Sequence, residues 1–288
     1  MRLVQNIFLP NAAMIAAEAV GAFAARDVEL VTTFTRSSLD QRAALLAGEA
    51  DVAVTALDNL FAWNQPGDSD FRAVAQIERT TSLPTYLAAG LGSIGDLAAL
   101  DRPRLVVDSP VSGFGIALVA FVQGLGVDRQ QMSIIAAGGV NERLAVLAAG
   151  DGDVALLAPF VAVAATHAGL QQVAALEDLY PAYPGLVVVM IERRGAEIGA
   201  AVRAYLAALS AGRDWLAREP ESGLGALIAS GLSEPAARAQ LALCGAGPLI
   251  VSREGIEVLR DLRAGQGLLP NHPCGYDDLV TDRFIKEK

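Results

Sequence analysis

The stretch Gly48-Glu49-Ala50-Asp51-Val52-Ala53 returns later in the chain as Gly150-Asp151-Gly152-Asp153-Val154-Ala155. A shared Gly-x-x-Asp-Val-Ala could be chance, but the residues before it also match in order. Residues 28–31 read as a strand, 32–38 as a polar loop and 39–47 as a helix; residues 133–136, 137–141 and 142–149 repeat that series. The glycine suits the left-handed turn that ends a helix, and the apolar run after the aspartate has the length of a buried parallel strand. A chain that writes this unit twice is constrained towards two similar α/β lobes.

The surrounding residues fit that reading. Leu105 to Val107 form a short apolar strand leading into Asp108-Ser109-Pro110-Val111-Ser112-Gly113, and Phe114 to Gln123 read as a helix ended by Gly124-Leu125-Gly126. Alternation of strands with helices predicts parallel sheets covered on both faces. Leu83 to Ala89 and Gly185 to Ile191, each beside a proline, bracket the second copy and read as two crossover strands. The expected architecture is therefore α/β, with two Rossmann-like lobes joined by those strands. Residues 1–89 and 185–288 make lobe 1, and residues 90–184 make lobe 2. Beyond Glu192 the chain turns helical, with Ile198, Val202, Tyr205, Leu206, Leu209 and Trp215 at helical spacing in a helix from Ala196 to Glu219. Helices are also expected over 233–243 and 252–264, and the tail 268–273 reads as loop.

Composition removes several function classes. With 288 residues, 53% hydrophobic and 19% charged, the chain has ample core volume and no long polar tract. A net charge of -10 argues against nucleic acid or anionic lipid as a partner, because both need concentrated Lys and Arg. The uncharged runs after Ser112 and from Val154 to Gln172 are broken by glycines or by Pro159, Thr166 and His167; they read as buried helices rather than membrane spans. Met1 to Phe8 give a strand that breaks at Leu9-Pro10-Asn11, without the long apolar core of an export signal. The expected location is periplasmic if a signal peptide has been removed and cytoplasmic if Met1 is the native start. Cys244 and Cys274 are too few for a disulfide scaffold and read as free, partly buried thiols.

Several stretches resemble the type 2 periplasmic-binding-protein fold, and within it the ABC-transporter solute-binding proteins related to aliphatic sulfonate, taurine and thiamine-pyrimidine binders. The opening strand, Leu9-Pro10-Asn11, the helix to Gly21-Ala22-Phe23 and Asp27-Val28-Glu29-Leu30 look like that family's first βαβ unit. Gln41 through Leu46, Gly48, Asp51-Val52-Ala53, Thr55 and Asp58-Asn59 look like its second; Asp108-Ser109 through Ser112-Gly113 looks like its ligand-binding turn. The resemblance implies a binding protein that captures a small polar or anionic organic molecule in an interlobe cleft. It implies a small-molecule ligand and an ABC permease as partners, and a monomer. The alternative is a cytoplasmic enzyme on the same fold, a lyase or decarboxylase acting on a small organic acid.

In open α/β sheets, ligands lie beyond the carboxyl ends of the strands, where loops enter helices. That rule selects Asn11, Arg36, Ser37, Thr55, Asp58 and Asn59 from lobe 1. From lobe 2 it selects Ser109, Ser112, Gly113, Asn141 and Phe160. Helix N-termini present unpaired N–H groups that favour an anion. Ser112 reads equally as such a contact or as a simple cap. Ser38-Leu39-Asp40-Gln41 matches a capping box, so Ser38 is expected to be structural. Asp58, three residues after Thr55, suits a cap or a ligand contact. Arg36, among small hydroxyl residues, suits either a carboxylate, sulfonate or phosphate or a solvated surface. No catalytic residue, cofactor or metal site is expected: His167 and His272 fall outside the strand-end loops, and only Asp58 and Glu142 could serve as acid or base.

Overall fold

The computed structural model describes residues 1–64, 70–79, 83–244 and 249–285. In chain order the strands are β1 (Arg2–Ile7), β2 (Glu29–Phe34), β3 (Val52–Ala56), β4 (Phe71–Gln76), β5 (Pro84–Leu87), β6 (Arg104–Val107), β7 (Ser133–Ala136), β8 (Val154–Leu156), β9 (Gln171–Ala175) and β10 (Leu186–Ile191). The helices are α1 (Ala12–Ala19), α2 (Ser38–Ala47), α3 (Asn59–Trp63), α4 (Ile94–Ala98), α5 (Gly113–Gly124), α6 (Val140–Ala148), α7 (Ala162–His167), α8 (Leu176–Leu179), α9 (Gly195–Arg218), α10 (Pro220–Ala229), α11 (Glu234–Leu243), α12 (Arg253–Gly265) and α13 (Tyr276–Leu279).

The strands form two five-stranded sheets of the same design, β2-β1-β3-β10-β4 and β7-β6-β8-β5-β9. In each, the first three strands are parallel and the fourth is antiparallel to both its neighbours. The two α/β lobes expected from the repeated segment are these sheets with their helices.

The chain divides into one unit of Met1–Thr80, Pro184–Glu257 and Pro270–Lys288 and another of Thr81–Tyr183 and Val258–Leu269. The first boundary falls at 80/81 rather than 89/90, because β5 is hydrogen-bonded wholly within the second sheet, to β8 and β9. Residues 258–269 also belong to the second unit, so α12 carries the chain out of the first unit and the chain changes unit four times rather than twice.

The repeated segment has the same physical basis in both units. Gly48 and Gly150 have φ of 72° and 75°, the left-handed conformation that stops α2 and α6. Asp51 then accepts the Val4 amide at 2.8 Å, and Asp153 accepts the Arg104 amide at 2.7 Å. Each aspartate thus ties the start of one strand to its parallel neighbour, β3 to β1 and β8 to β6. The register agrees: Gln5 lies opposite Val52 and Leu105 opposite Val154.

Other expectations need correction. β2 runs on through Thr32, Thr33 and Phe34, which were read as loop, because all three pair with β1 and the threonine hydroxyls accept Gln5 and Asn6 side chains. The run from Val154 to Gln172 is not one buried helix. It holds β8, a turn, the short α7 and the first residues of β9. α6 begins at Val140, so Asn141 is helical rather than in the loop. Among the described residues no helix is long and apolar enough to cross a membrane.

The main core of the first unit lies between the sheet and α1, α9 and α10, with Leu3, Ile7, Val52, Val188, Val202 and Leu209 buried together. A smaller core in the second gathers Tyr86, Val106, Leu147, Ala155 and Leu157.

Candidate functional site

In the first unit, the carboxyl ends of β1, β2 and β3 lead to Asn11, Ser37 and Asp58. β4 runs parallel to β3, since both are antiparallel to β10, and so ends at the same edge. Asn11 is 3% exposed and caps α1, its Oδ1 accepting the Met14 amide at 3.1 Å. Its Nδ2 is buried and has no hydrogen-bond partner. Ser37 rather than Ser38 is the cap of α2, accepting the Leu39 and Asp40 amides at 3.2 and 3.3 Å. The expected capping box is therefore absent: Ser38 is the first helical residue, and the Ser37 hydroxyl is spent locally. Thr55 is fully buried and accepts Asn59 Nδ2 at 2.7 Å. Asp58 is buried and precedes α3 without capping it through its side chain. Arg36 is exposed, with no hydrogen bond or ion pair among the described residues.

Gln41, which the sequence reading placed in a capping box, turns inward instead. Fully buried, its Nε2 donates to the carbonyl oxygens of Asn6 and Val54, both at 3.1 Å, holding α2 against β1 and β3. Its Oε1 has no partner, and neither does Asn6 Oδ1, although Asn6 Nδ2 bonds Thr33. A buried polar atom left unpaired costs on the order of 1 to 3 kcal/mol, and these three belong to residues at or just beyond the carboxyl ends of β1 and β2.

Glu78, two residues beyond β4, is the titratable group that sequence reasoning missed in this unit. Burial pushes its carboxyl up to about 7, against the lowering effect of a backbone hydrogen bond with Leu186. Nothing local marks it; its surroundings come from Gly185, where a Cβ would lie 2.6 Å from the Glu78 Cβ.

In the second unit, Ser112 caps α5 by accepting the Gly115 amide at 3.0 Å. Its own hydroxyl proton faces Asp108 Oδ1 and the Ser109 carbonyl, of which it can satisfy one at a time. Ser109 Oγ accepts the Val111 amide at 3.4 Å, and Gly113 is the buried first residue of the helix. Asn141 is exposed in the first turn of α6. Phe160 lies in the turn Pro159–Val161, and its side chain falls outside the described residues.

Arg143 was missed altogether. It is 5% exposed, with Nε donating to the Leu156 carbonyl at 3.2 Å and Nη1 to the Gly138 carbonyl at 2.7 Å. Burial holds its guanidinium below the ordinary value, while Asp108 and Glu142 pull the other way. Among the described residues no group of three or more His, Cys, Asp or Glu is placed to hold a metal ion.

The family model described as NMT1/THI5 like matches residues 10–223 of the chain. The ligand-binding component of an ABC-type import system from Staphylococcus aureus, solved with zinc bound, superposes with a TM-score of 0.81 at 16% identity, covering 100% of this chain and 99% of that one. The alkanesulfonate-binding protein SsuA from Xanthomonas axonopodis pv. citri, bound to MOPS, gives 0.76 at 18% identity over 96% of this chain and 97% of its own. The periplasmic nitrate-binding protein NrtA from Synechocystis PCC 6803 gives 0.74 at 13%, covering 98% and 86%. At these identities the likeness is one of fold. No curated protein matches the chain by sequence.

Proposed function

Since the chain belongs to the NMT1/THI5-like family, we propose that it is a solute-binding protein of the ABC-import type, capturing one small polar or anionic organic molecule and delivering it to a permease. The observation that carries this reading is unspent polar capacity at the strand ends of the first unit: Asn11 Nδ2, Asn6 Oδ1 and Gln41 Oε1 are buried and unpaired. A ligand supplying one acceptor and two donors would satisfy all three and recover much of their desolvation cost. Solved proteins of the same fold are described as binding alkanesulfonates and nitrate, which supports a small polar cargo.

Direct identification of the cargo tests this. The purified protein is denatured, released small molecules are identified by mass spectrometry, and each is titrated back calorimetrically. The expected result is one stoichiometric ligand, recovered unchanged. A protein that releases nothing and binds no member of a panel of small acids, amides and heterocycles overturns the proposal. A ligand recovered chemically altered, at a rate abolished by Glu78→Gln, Asp58→Ala or Glu142→Ala, replaces it with the lyase or decarboxylase reading.

A further inference from the structure

The two units contain a natural control for one residue. Gln41 lies ten residues before Asp51, and Arg143 lies ten before Asp153. Both are buried on the helix that precedes the repeated glycine, and both donate to the carbonyl three residues beyond the repeated aspartate, Val54 or Leu156. Both use a further N–H on a second carbonyl, of Asn6 or Gly138. One structural task, pinning a helix to the carboxyl end of β3 or β8, is therefore shared, while the second carbonyl differs: Asn6 lies in β1 and Gly138 in the loop before α6. A neutral amide performs it in the first unit.

The second unit performs it with a charge, at 5% exposure. Taking a guanidinium out of water is unfavourable unless an anion compensates, and pinning does not require the charge. Its bonded partners are two neutral carbonyls. The nearby carboxylates, Asp108 and Glu142, act on it only through space, and Asp108 already accepts the Ser112 hydroxyl. Arg143 Nη2 donates to nothing among the described residues. The result is a guanidinium held at Nε by the end of β8 and at Nη1 by the loop that follows β7, with two donors of Nη2 in reserve.

We propose that Arg143 is the specificity-determining residue of the second unit, where it selects a ligand carrying a carboxylate, sulfonate or comparable oxyanion. This rests on the solute-binding reading and adds to it the ligand's charge and the residue that reads it. Arg36, the arginine that the sequence offered for the same task, is exposed and has no hydrogen bond or ion pair among the described residues.

The test uses matched acid and amide probes: ethanesulfonate with ethanesulfonamide, propionate with propionamide, and nicotinate with nicotinamide. Each is titrated into wild type, Arg143→Gln and Asp108→Asn. Arg143→Gln keeps an amide donor for the Leu156 carbonyl, as Gln41 has for Val54, so the variant should melt cooperatively and keep its affinity for the amides. It should lose on the order of tenfold to a hundredfold for the acids. Asp108→Asn keeps an acceptor for Ser112 but removes the neighbouring negative charge, so acids should bind severalfold tighter and amides unchanged. That second variant decides the matter even if Arg143→Gln fails to fold. Undiminished acid affinity in Arg143→Gln overturns the proposal, as does weaker acid binding in Asp108→Asn or a wild type that prefers the amides. If wild type binds amides alone, the solute-binding reading survives and only the anion fails; if it binds neither series, both fail.

Discussion

Replacing Gly212 by alanine should destabilise the first unit, although glycine-to-alanine inside a helix ordinarily does the reverse. Gly212 lies in α9 where that helix meets α1 backbone to backbone. A Cβ there would stand 2.6 Å from the Ala13 carbonyl oxygen, 2.6 Å from the Ala17 nitrogen and 3.0 Å from the Ala17 Cα. Comfortable contact needs about 3.5 Å, so α1 must retreat by about 0.9 Å. The obstructing atoms are backbone and cannot swing aside. Retreat would pull the buried Ala13, Ala16 and Ala17 face off α9 and move the Asn11 cap. Overpacking of this kind costs about 1 to 3 kcal/mol, and rigid backbone places it near the upper end. The gain in helix propensity returns about 1 kcal/mol, leaving a net loss of about 2 kcal/mol. Gly225 in α10 is the control, since a Cβ there meets nothing within 4 Å; Gly225→Ala should stabilise by about 0.5 to 1 kcal/mol. Urea unfolding of the two variants beside wild type, followed by circular dichroism, should separate their midpoints on opposite sides. A Gly212→Ala protein as stable as wild type would refute the close-packing argument.

Two further expectations concern buried titratable groups. Glu78 has its folded pKa raised from 4.5 to about 7, so its contribution favours the native state below pH 4.5, is lost as pH rises to about 7, and is flat beyond. The full shift corresponds to about 3 kcal/mol, discounted to about 1 to 2 kcal/mol because the residue retains some solvent exposure. Unfolding midpoints of wild type and Glu78→Gln measured from pH 4 to 8 should diverge with rising pH, and a constant difference would reject the assignment. Burial pushes the Cys244 thiol up to about 11, so in a Cys274→Ser background it should resist Ellman's reagent at pH 8 until the protein is unfolded. Stoichiometric labelling of the folded protein within seconds would show that Cys244 is neither buried nor protonated.

What could be read from the residues, and what could not, divides along the range of the forces involved. The repeated Gly-x-x-Asp-Val-Ala was legible because its causes are local: a left-handed glycine, an aspartate bonding the next strand's amide, and a short apolar strand. Ser112 was legible as a helix cap for the same reason, whereas Asn11, read only as a strand-end ligand contact, also caps α1. β4 and β9 lacked a comparable signal, since Gln171-Gln172-Val173-Ala174-Ala175 is polar at its start and is ordered by pairing with β5. Ser37 was displaced by one residue as the cap because Gln41, the supposed far end of the box, is drawn inward by the Asn6 and Val54 carbonyls. Arg143 was hidden more thoroughly. Asn141-Glu142-Arg143-Leu144 looks like a solvated helix face, and the buried Arg143 is held by carbonyls at the end of β8 and in the loop after β7. The signal was nevertheless present in the repeat. Aligning the copies on their aspartates sets Gln41 against Arg143, two side chains that share the bond to the strand-end carbonyl and differ in charge. A neutral amide suffices for that shared bond, so the bond alone does not account for the charge. That comparison separates the charge from the scaffold, and it directs the search for the ligand to acids before amides.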